Sequence, residues 1–287
     1  MPELTDLSVI RTLCEKYDFA LSKGFGQNFI INPGLPPKIV DASGVDKSWG
    51  VLEIGPGIGP LTVQLARRAA KVAAIELDRT LYPILAETLA PYPNAEVVPG
   101  DAMKLDLAAL AADKFSGLTP IACANLPYNI TTPVLTALIE AGCFASITVM
   151  IQREVALRIC AAPGSSDYGA FSVFCQYHTQ PELLFEVGPE CFLPAPKVTS
   201  AVIRLVPRSA PPQNLVDESF FFQVVRASFA QRRKTLLNGL SSAFGSRLSK
   251  DALRGAIEAA GLPADIRGER LGIPEFAALA SALQSSL

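Results

Sequence analysis

The sequence predicts an α/β protein: a Rossmann-like, doubly wound and mostly parallel sheet followed by a small α-helical domain. Three observations carry this expectation. From Gly50 onward, short apolar runs alternate with longer stretches of helical periodicity, as expected of strands buried on both faces and joined by right-handed crossover helices. A glycine-rich turn follows the first run directly, at the place where such sheets bind ligands beyond the carboxyl ends of their strands. After Pro212 the alternation stops and only helical periodicity remains.

Taken in order, residues 5–17 carry apolar side chains at helical spacing and predict a short amphipathic helix. Residues 23–34 (KGFGQNFIINPG) are rich in Gly, Asn and Pro and read as a loop. Strands are predicted at 51–54, 71–77, 95–100, 120–128 and 146–152, with helices beginning near Leu61, Arg79, Leu105 and Thr132. Seven prolines between 181 and 212 mark a change of composition, yet 197–206 (KVTSAVIRLV) alternates well enough for a last strand ending near Val206. Helices are expected near 217–229, 232–243, 250–260 and 274–285. The expected division is therefore 1–210 for the sheet domain and 211–287 for the helical one.

Composition narrows the function. With 49% hydrophobic and 18% charged residues in 287, the chain can bury a core and is not a disordered one. No apolar run reaches the roughly 20 residues of a membrane span, and the N-terminus lacks a basic-then-apolar signal segment, so a soluble cytoplasmic protein is expected. The six cysteines form no CxxC pair, and His178 is the single histidine. Buried reduced thiols and a structural histidine are expected, rather than a zinc cage or a histidine triad. Residues 1–180 hold 13 basic and 17 acidic side chains, whereas 181–287 hold 12 and 10, so the basic excess is C-terminal. It is densest at Arg226, Arg232, Arg233 and Lys234, which have no acidic neighbour and could meet a polyanion locally.

The chemistry is concentrated at four predicted strand ends. After the first comes Glu53-Ile54-Gly55-Pro56-Gly57-Ile58-Gly59-Pro60. Its glycines, Gly55 and Gly57 foremost, let the backbone turn tightly and approach a ligand closely. A dinucleotide fingerprint would require glycine where Pro60 stands, so the spacing suits a nucleoside cofactor without a pyrophosphate, S-adenosylmethionine foremost. Glu76 ends the second strand, where an acid accepts hydrogen bonds from ribose hydroxyls, and Asp101 follows the third, facing the same crevice. The fourth ends in Asn125-Leu126-Pro127-Tyr128. An Asn amide oxygen and a backbone carbonyl can accept both N–H bonds of an exocyclic base amine, turning its lone pair toward an electrophilic methyl group. Pro127 fixes the turn, and Tyr128 offers a face on which a base stacks.

Asn125-Leu126-Pro127-Tyr128 resembles the [ND]-[LIP]-P-[YF] signature of amino-group methyltransferases. The chain as a whole is similar to the small-subunit rRNA adenine N6,N6-dimethyltransferases, the KsgA/RsmA family, which is related to the Erm enzymes. The resemblance runs in order from about residue 20 to 280. It includes Gly26-Gln27-Asn28-Phe29-Ile30, the turn at 51–59, Glu76, Gly100-Asp101-Ala102 and the Asn125 tetrapeptide. It continues through Asp167-Tyr168-Gly169, Phe192-Leu193-Pro194-Ala195-Pro196-Lys197-Val198 and Phe229-Ala230-Gln231-Arg232-Arg233-Lys234-Thr235-Leu236.

The resemblance implies that Asn28 and Ile30 close over the cofactor, Gly55 contacts it, Glu76 binds its ribose and Asp101 its adenine. Asn125 would touch the cofactor and orient the target amine, while Tyr128 and Phe192 sandwich the target adenine. Arg226, Arg232, Arg233 and Lys234 would contact phosphates. The implied reaction transfers methyl groups from S-adenosylmethionine to N6 of two adjacent adenosines near the 3′ end of small-subunit rRNA, with S-adenosylhomocysteine as product and no metal. The modest overall charge points to a pre-30S particle recognised by shape, and nothing in the sequence demands more than a monomer. Two rival readings are an Erm-type enzyme acting on large-subunit rRNA and a ribosome-assembly factor whose main role is binding. An NAD-dependent oxidoreductase is disfavoured by Pro60.

Overall fold

The computed structural model describes residues 3–19, 28–210, 213, 215, 217–231 and 234–287. Helix α1 (Leu7–Lys16), capped by the Asp6 carboxylate accepting from the Ser8 amide at 2.7 Å, precedes a two-residue strand β1 (Phe29–Ile30) and helix α2 (Leu35–Ser43). The main alternation follows: β2 (Trp49–Ile54), α3 (Pro60–Arg68), β3 (Lys71–Glu76), α4 (Tyr82–Leu89), β4 (Ala95–Pro99), α5 (Leu107–Lys114), β5 (Thr119–Asn125), α6 (Thr131–Glu140) and β6 (Ile147–Gln152). Next come α7 (Arg153–Cys160), α8 (Ala170–His178), β7 (Thr179–Val187), β8 (Phe192–Leu193) and β9 (Ser200–Pro207). The chain closes with α9 (Glu218–Phe229), α10 (Leu236–Phe244), α11 (Lys250–Ala259) and α12 (Ile273–Gln284). No helix among the described residues is long and apolar enough to cross a membrane.

Seven strands form one sheet in the order β4-β3-β2-β5-β6-β9-β7. Strands β2 to β6 are parallel, and β9 runs antiparallel to β6 with Ser200 opposite Gln152. The chain builds outward from β2 through β3 to β4, then returns to β5 on the other side. The carboxyl ends of β2 and β5 thus flank the point where strand order reverses, which opens a crevice there. Val51, Leu52, Val72, Ala73 and Ala74 are wholly buried, as continuous apolar runs in a two-sided sheet require. A second, two-stranded piece pairs β1 with β8, placing Ile30 opposite Phe192.

The chain divides into two compact units, one of residues 1–156 with 181–207, the other of 157–180 with 208–287. The sequence-based boundary at 210 therefore needs correction: residues 157–180 belong to the helical unit. Its core explains why, since Tyr168, Val173 and Tyr177 are buried in the same cluster as Phe221, Leu240 and Phe276. The Tyr177 and Phe221 rings lie 5.4 Å apart, and Gln176 donates to the carbonyls of Ile159 and Ala161. His178 stacks on Phe222 at 5.5 Å, with Glu218 at 3.9 Å, as a structural histidine would. The strand β7 has Pro181 within it, which argues against a strand in the sequence; it sits at the sheet edge, where a missing N–H is tolerated.

Two glycines let segments of the helical unit close on the end of α9. A Cβ on Gly239 would lie 2.6 Å from the Ala227 carbonyl oxygen, and one on Gly268 would lie 2.5 Å from that of Ser228. Gly239→Ala is expected to destabilise the protein by roughly 1–3 kcal/mol through this overlap, against a helix-propensity gain of at most about 1 kcal/mol. Gly255→Ala in α11, where a Cβ meets nothing within 4 Å, should keep the gain alone. Urea midpoints of the two variants should move in opposite directions, and equal midpoints would contradict the packing argument.

Candidate active site

The loops after β2, β3, β4 and β5 converge on one cavity of about 330 Å³. Its floor is the turn from β2 into α3, where Gly55, Gly57 and Gly59 adopt φ of 71°, 60° and 93°. Those left-handed conformations cost a residue with a Cβ about 1–2 kcal/mol each. A Cβ on Gly57 would also stand 3.5 Å from the Phe29 ring. Pro60 occupies the first turn of α3, where its absent N–H is not missed.

Three carboxylates line the cavity, Glu53, Glu76 and Asp101, and among the described residues no Lys, Arg or His does. Glu53, at the end of β2, is 1% exposed, and its Oε2 has no hydrogen-bond partner among the described residues. Burial raises the pKa of its carboxyl to about 8, with the neighbouring Glu76 charge adding to the rise. Glu76 accepts from the Asp78 amide at 2.8 Å. Burial raises its pKa too, opposed by the amides of Asp78, Gly57 and Leu77. Asp101 closes a turn, Oδ1 accepting from the Met103 amide at 3.0 Å. The described lining thus offers carboxyl oxygens and no cation, which suits a positively charged ligand carrying hydrogen-bond donors.

On the facing side, Asn125 ends β5 beside Met150 of β6, and the Leu126 amide donates to the Met150 carbonyl at 3.1 Å. Pro127 begins a single 3₁₀ turn, Tyr128–Ile130, whose frame is closed by Ile130 N and Thr131 Oγ1 donating to the Pro127 carbonyl. That leaves the Asn125 carboxamide and the Leu126 carbonyl without hydrogen-bond partners among the described residues. Both belong to residues lining the cavity. The Tyr128 hydroxyl meets Ser200 Oγ, and burial raises its pKa.

Asn28, Ile30, Gly55, Gly57, Glu76, Asp101, Asn125, Leu126, Pro127 and Tyr128, all expected from sequence, line this one cavity. Phe192 does not. It is 2% exposed and lies in the core cluster with Ile30, Val187 and Val202, because pairing of β8 with β1 turns its ring inward. Of the pair expected to sandwich the base, Tyr128 thus lines the cavity and Phe192 does not. Arg226 and Lys234 are exposed in the helical unit; Arg232 and Arg233, like Gly26 and Gln27 of the first motif, lie outside the described residues. Sequence reasoning passed over Leu77, half-exposed and lining the cavity directly after Glu76. An apolar residue on the heels of a strand-end acid was the available signal, since such a side chain offers a flat ligand an apolar face.

A doubly wound sheet whose switch-point crevice combines a glycine turn, a strand-end Glu and an anionic lining defines a class I S-adenosylmethionine-dependent methyltransferase. Comparison with known proteins makes the assignment narrower. Residues 19–260 match the family described as ribosomal RNA adenine dimethylase. Proteins named ribosomal RNA small subunit methyltransferase A are similar to this chain. That of Geobacillus sp. (strain WCH70) is 46% identical over 280 residues, covering 96% of each chain. That of Streptococcus sanguinis (strain SK36) is 47% identical over 285 residues, covering 98% of each. Among solved structures, a dimethyladenosine transferase from Plasmodium falciparum superposes with a TM-score of 0.73 at 26% identity, over 90% of this chain and 98% of that one. The 23S rRNA methyltransferase ErmE gives 0.66 at 25%, over 90% and 100%. The chain belongs to the ribosomal RNA adenine dimethylase family.

Proposed function

We propose that this chain dimethylates N6 of two adjacent adenosines near the 3′ end of small-subunit rRNA, within an assembling small subunit and as a monomer. The observation that carries the reading is a pair of acceptors, Asn125 Oδ1 and the Leu126 carbonyl, without partners among the described residues, in a cavity whose described lining has acids and no base. The similarity to small-subunit enzymes at 46–47% identity over nearly the whole chain favours that substrate over the large-subunit rRNA of the more distant ErmE.

S-adenosylmethionine, when bound, supplies an electrophilic methyl group and becomes S-adenosylhomocysteine. Every other contribution comes from the chain. Gly55 and Gly57 let the backbone approach the cofactor, Glu76 accepts from its ribose hydroxyls, Asp101 accepts from its adenine amine, and Asn28 and Ile30 cover it. Leu77 gives the adenine ring an apolar face. The sulfonium and ammonium charges are matched by a lining that, among the described residues, carries carboxyl groups and no cation. Asn125 and the Leu126 carbonyl accept the two N–H bonds of the target amine, so that its lone pair points at the methyl group, and the Tyr128 ring stacks on the base. Rate enhancement comes from alignment of nitrogen, carbon and sulfur rather than from a strong base, because the methylated amine sheds its proton readily. The target base must be unstacked to enter. Arg226, Arg232, Arg233 and Lys234 contact phosphates, so binding weakens as salt rises.

The test is transfer of labelled methyl from S-adenosylmethionine to unmethylated small subunits, with large-subunit rRNA in parallel and nucleoside analysis by mass. Dimethyladenosine confined to small-subunit rRNA is the expected result. Label entering large-subunit rRNA instead would overturn the substrate assignment.

A further inference from the structure

We propose that Ser200 is a positioning residue for methyl transfer, its hydroxyl fixing the tilt of the Tyr128 ring against which the target base lies. The inference rests on the reading of Tyr128 as the stacking face. Strand β9 is antiparallel to β6, so its first residue, Ser200, lies at the end of the sheet where the parallel strands finish and the cavity opens. Ser200 is wholly buried, yet its hydroxyl meets that of Tyr128, seventy-two residues away in sequence. Neither hydroxyl has another hydrogen-bond partner among the described residues.

The tether matters because of how Tyr128 is held otherwise. Its main chain is fixed by the short turn, through Ile130 N and Thr131 Oγ1 on the Pro127 carbonyl. That turn does not set the swing of the side chain about Cα–Cβ, which has three staggered wells to choose from. With the Cα fixed at one end and the hydroxyl at the other, the direction of the ring's long axis is fixed. A base stacked on it follows that direction, and the amine nitrogen sits at the base's far edge, where a tilt of the axis becomes a displacement. In-line transfer punishes displacement heavily, by about 10²-fold for 1 Å.

The experiment is a double-mutant cycle on single-turnover methyl transfer to small subunits, with cofactor Kd measured alongside by calorimetry. Ser200→Ala and Tyr128→Phe are each expected to slow transfer about tenfold, a displacement well below 1 Å, with cofactor Kd unchanged. Ser200→Ala is expected to add nothing in the Tyr128→Phe background, where the tether is already gone. Ser200→Thr, which keeps the hydroxyl, should return transfer to within about twofold of the parent. Multiplied losses in the double variant, or parental rates in Tyr128→Phe, would overturn the proposal; the latter does so even if Ser200→Ala fails to fold. Tyr128→Ala separates the two levels of the argument. If it transfers at the parental rate, the stacking reading falls and the tether with it; if it is inactive while Ser200→Ala is unimpaired, only the tether falls.

Discussion

Asn125→Ala is expected to lower the methyl-transfer rate by on the order of 10²–10³ while leaving the fold intact. The carboxamide makes no hydrogen bond to a described residue, so its removal strands no buried partner and should cost little stability. What is lost is one of two acceptors for the target amine. The nitrogen then keeps its lone pair conjugated with the ring and out of line with the methyl group. Cofactor affinity should fall far less than the rate, since Glu76, Asp101 and the glycine turn still line the cavity. Single-turnover transfer, calorimetric cofactor binding and thermal midpoint, measured on one preparation, check all three statements. Parental turnover in this variant would remove the basis of the mechanism.

Glu53 should make the stability of the free protein depend on pH in an unusual direction. Its carboxyl is raised from 4.5 to about 8, chiefly by burial, so between those values the folded chain holds a proton that the unfolded chain has released. Stability from this group is whole below pH 4.5 and is lost as pH rises toward 8, at up to roughly 1.4 kcal/mol per pH unit. Glu53→Gln keeps the shape and cannot ionise. Its stability relative to the parent should therefore climb steadily across the window and level off above it. Glu76 is raised in the same direction but is present in both proteins, so it largely cancels in the difference. Urea unfolding of both at pH 5, 6.5 and 8 measures the climb, and a constant difference would show that Glu53 is not desolvated as described.

Much of this architecture is legible in the amino-acid order because the central strands are buried on both faces. VLEI, KVAAIE and ITVMIQ are mostly apolar runs, and the chemistry sits at their ends where a turn must follow. Glu76, Asp101 and Asn125 could be placed in one crevice from strand order alone, since parallel strands finish on the same side. What stayed hidden depends on pairing between distant segments. Nothing local announces that Pro181 lies in an edge strand, that Phe192 pairs opposite Ile30 and faces inward, or that Ser200 reaches Tyr128. The protonation of Glu53 is equally non-local: the residue is visible as an acid before a glycine turn, but its burial, and the Glu76 charge that adds to the rise, depend on other elements.

The helical unit is assembled from two stretches of chain, 157–180 and 208–287, with sheet residues 181–207 between them. During synthesis from the N-terminus, α8 therefore emerges well before the helices that bury it, and Tyr168, Val173 and Tyr177 wait with their apolar faces uncovered until α9 to α12 arrive. The last sheet strand must be laid down in that interval, so neither unit can be finished and set aside before the other is begun. A gene fragment encoding only 208–287 would yield a core missing its earliest contributors. Recombination between relatives would have to exchange both stretches together, which ties the inheritance of the helical unit to that of the sheet it interrupts.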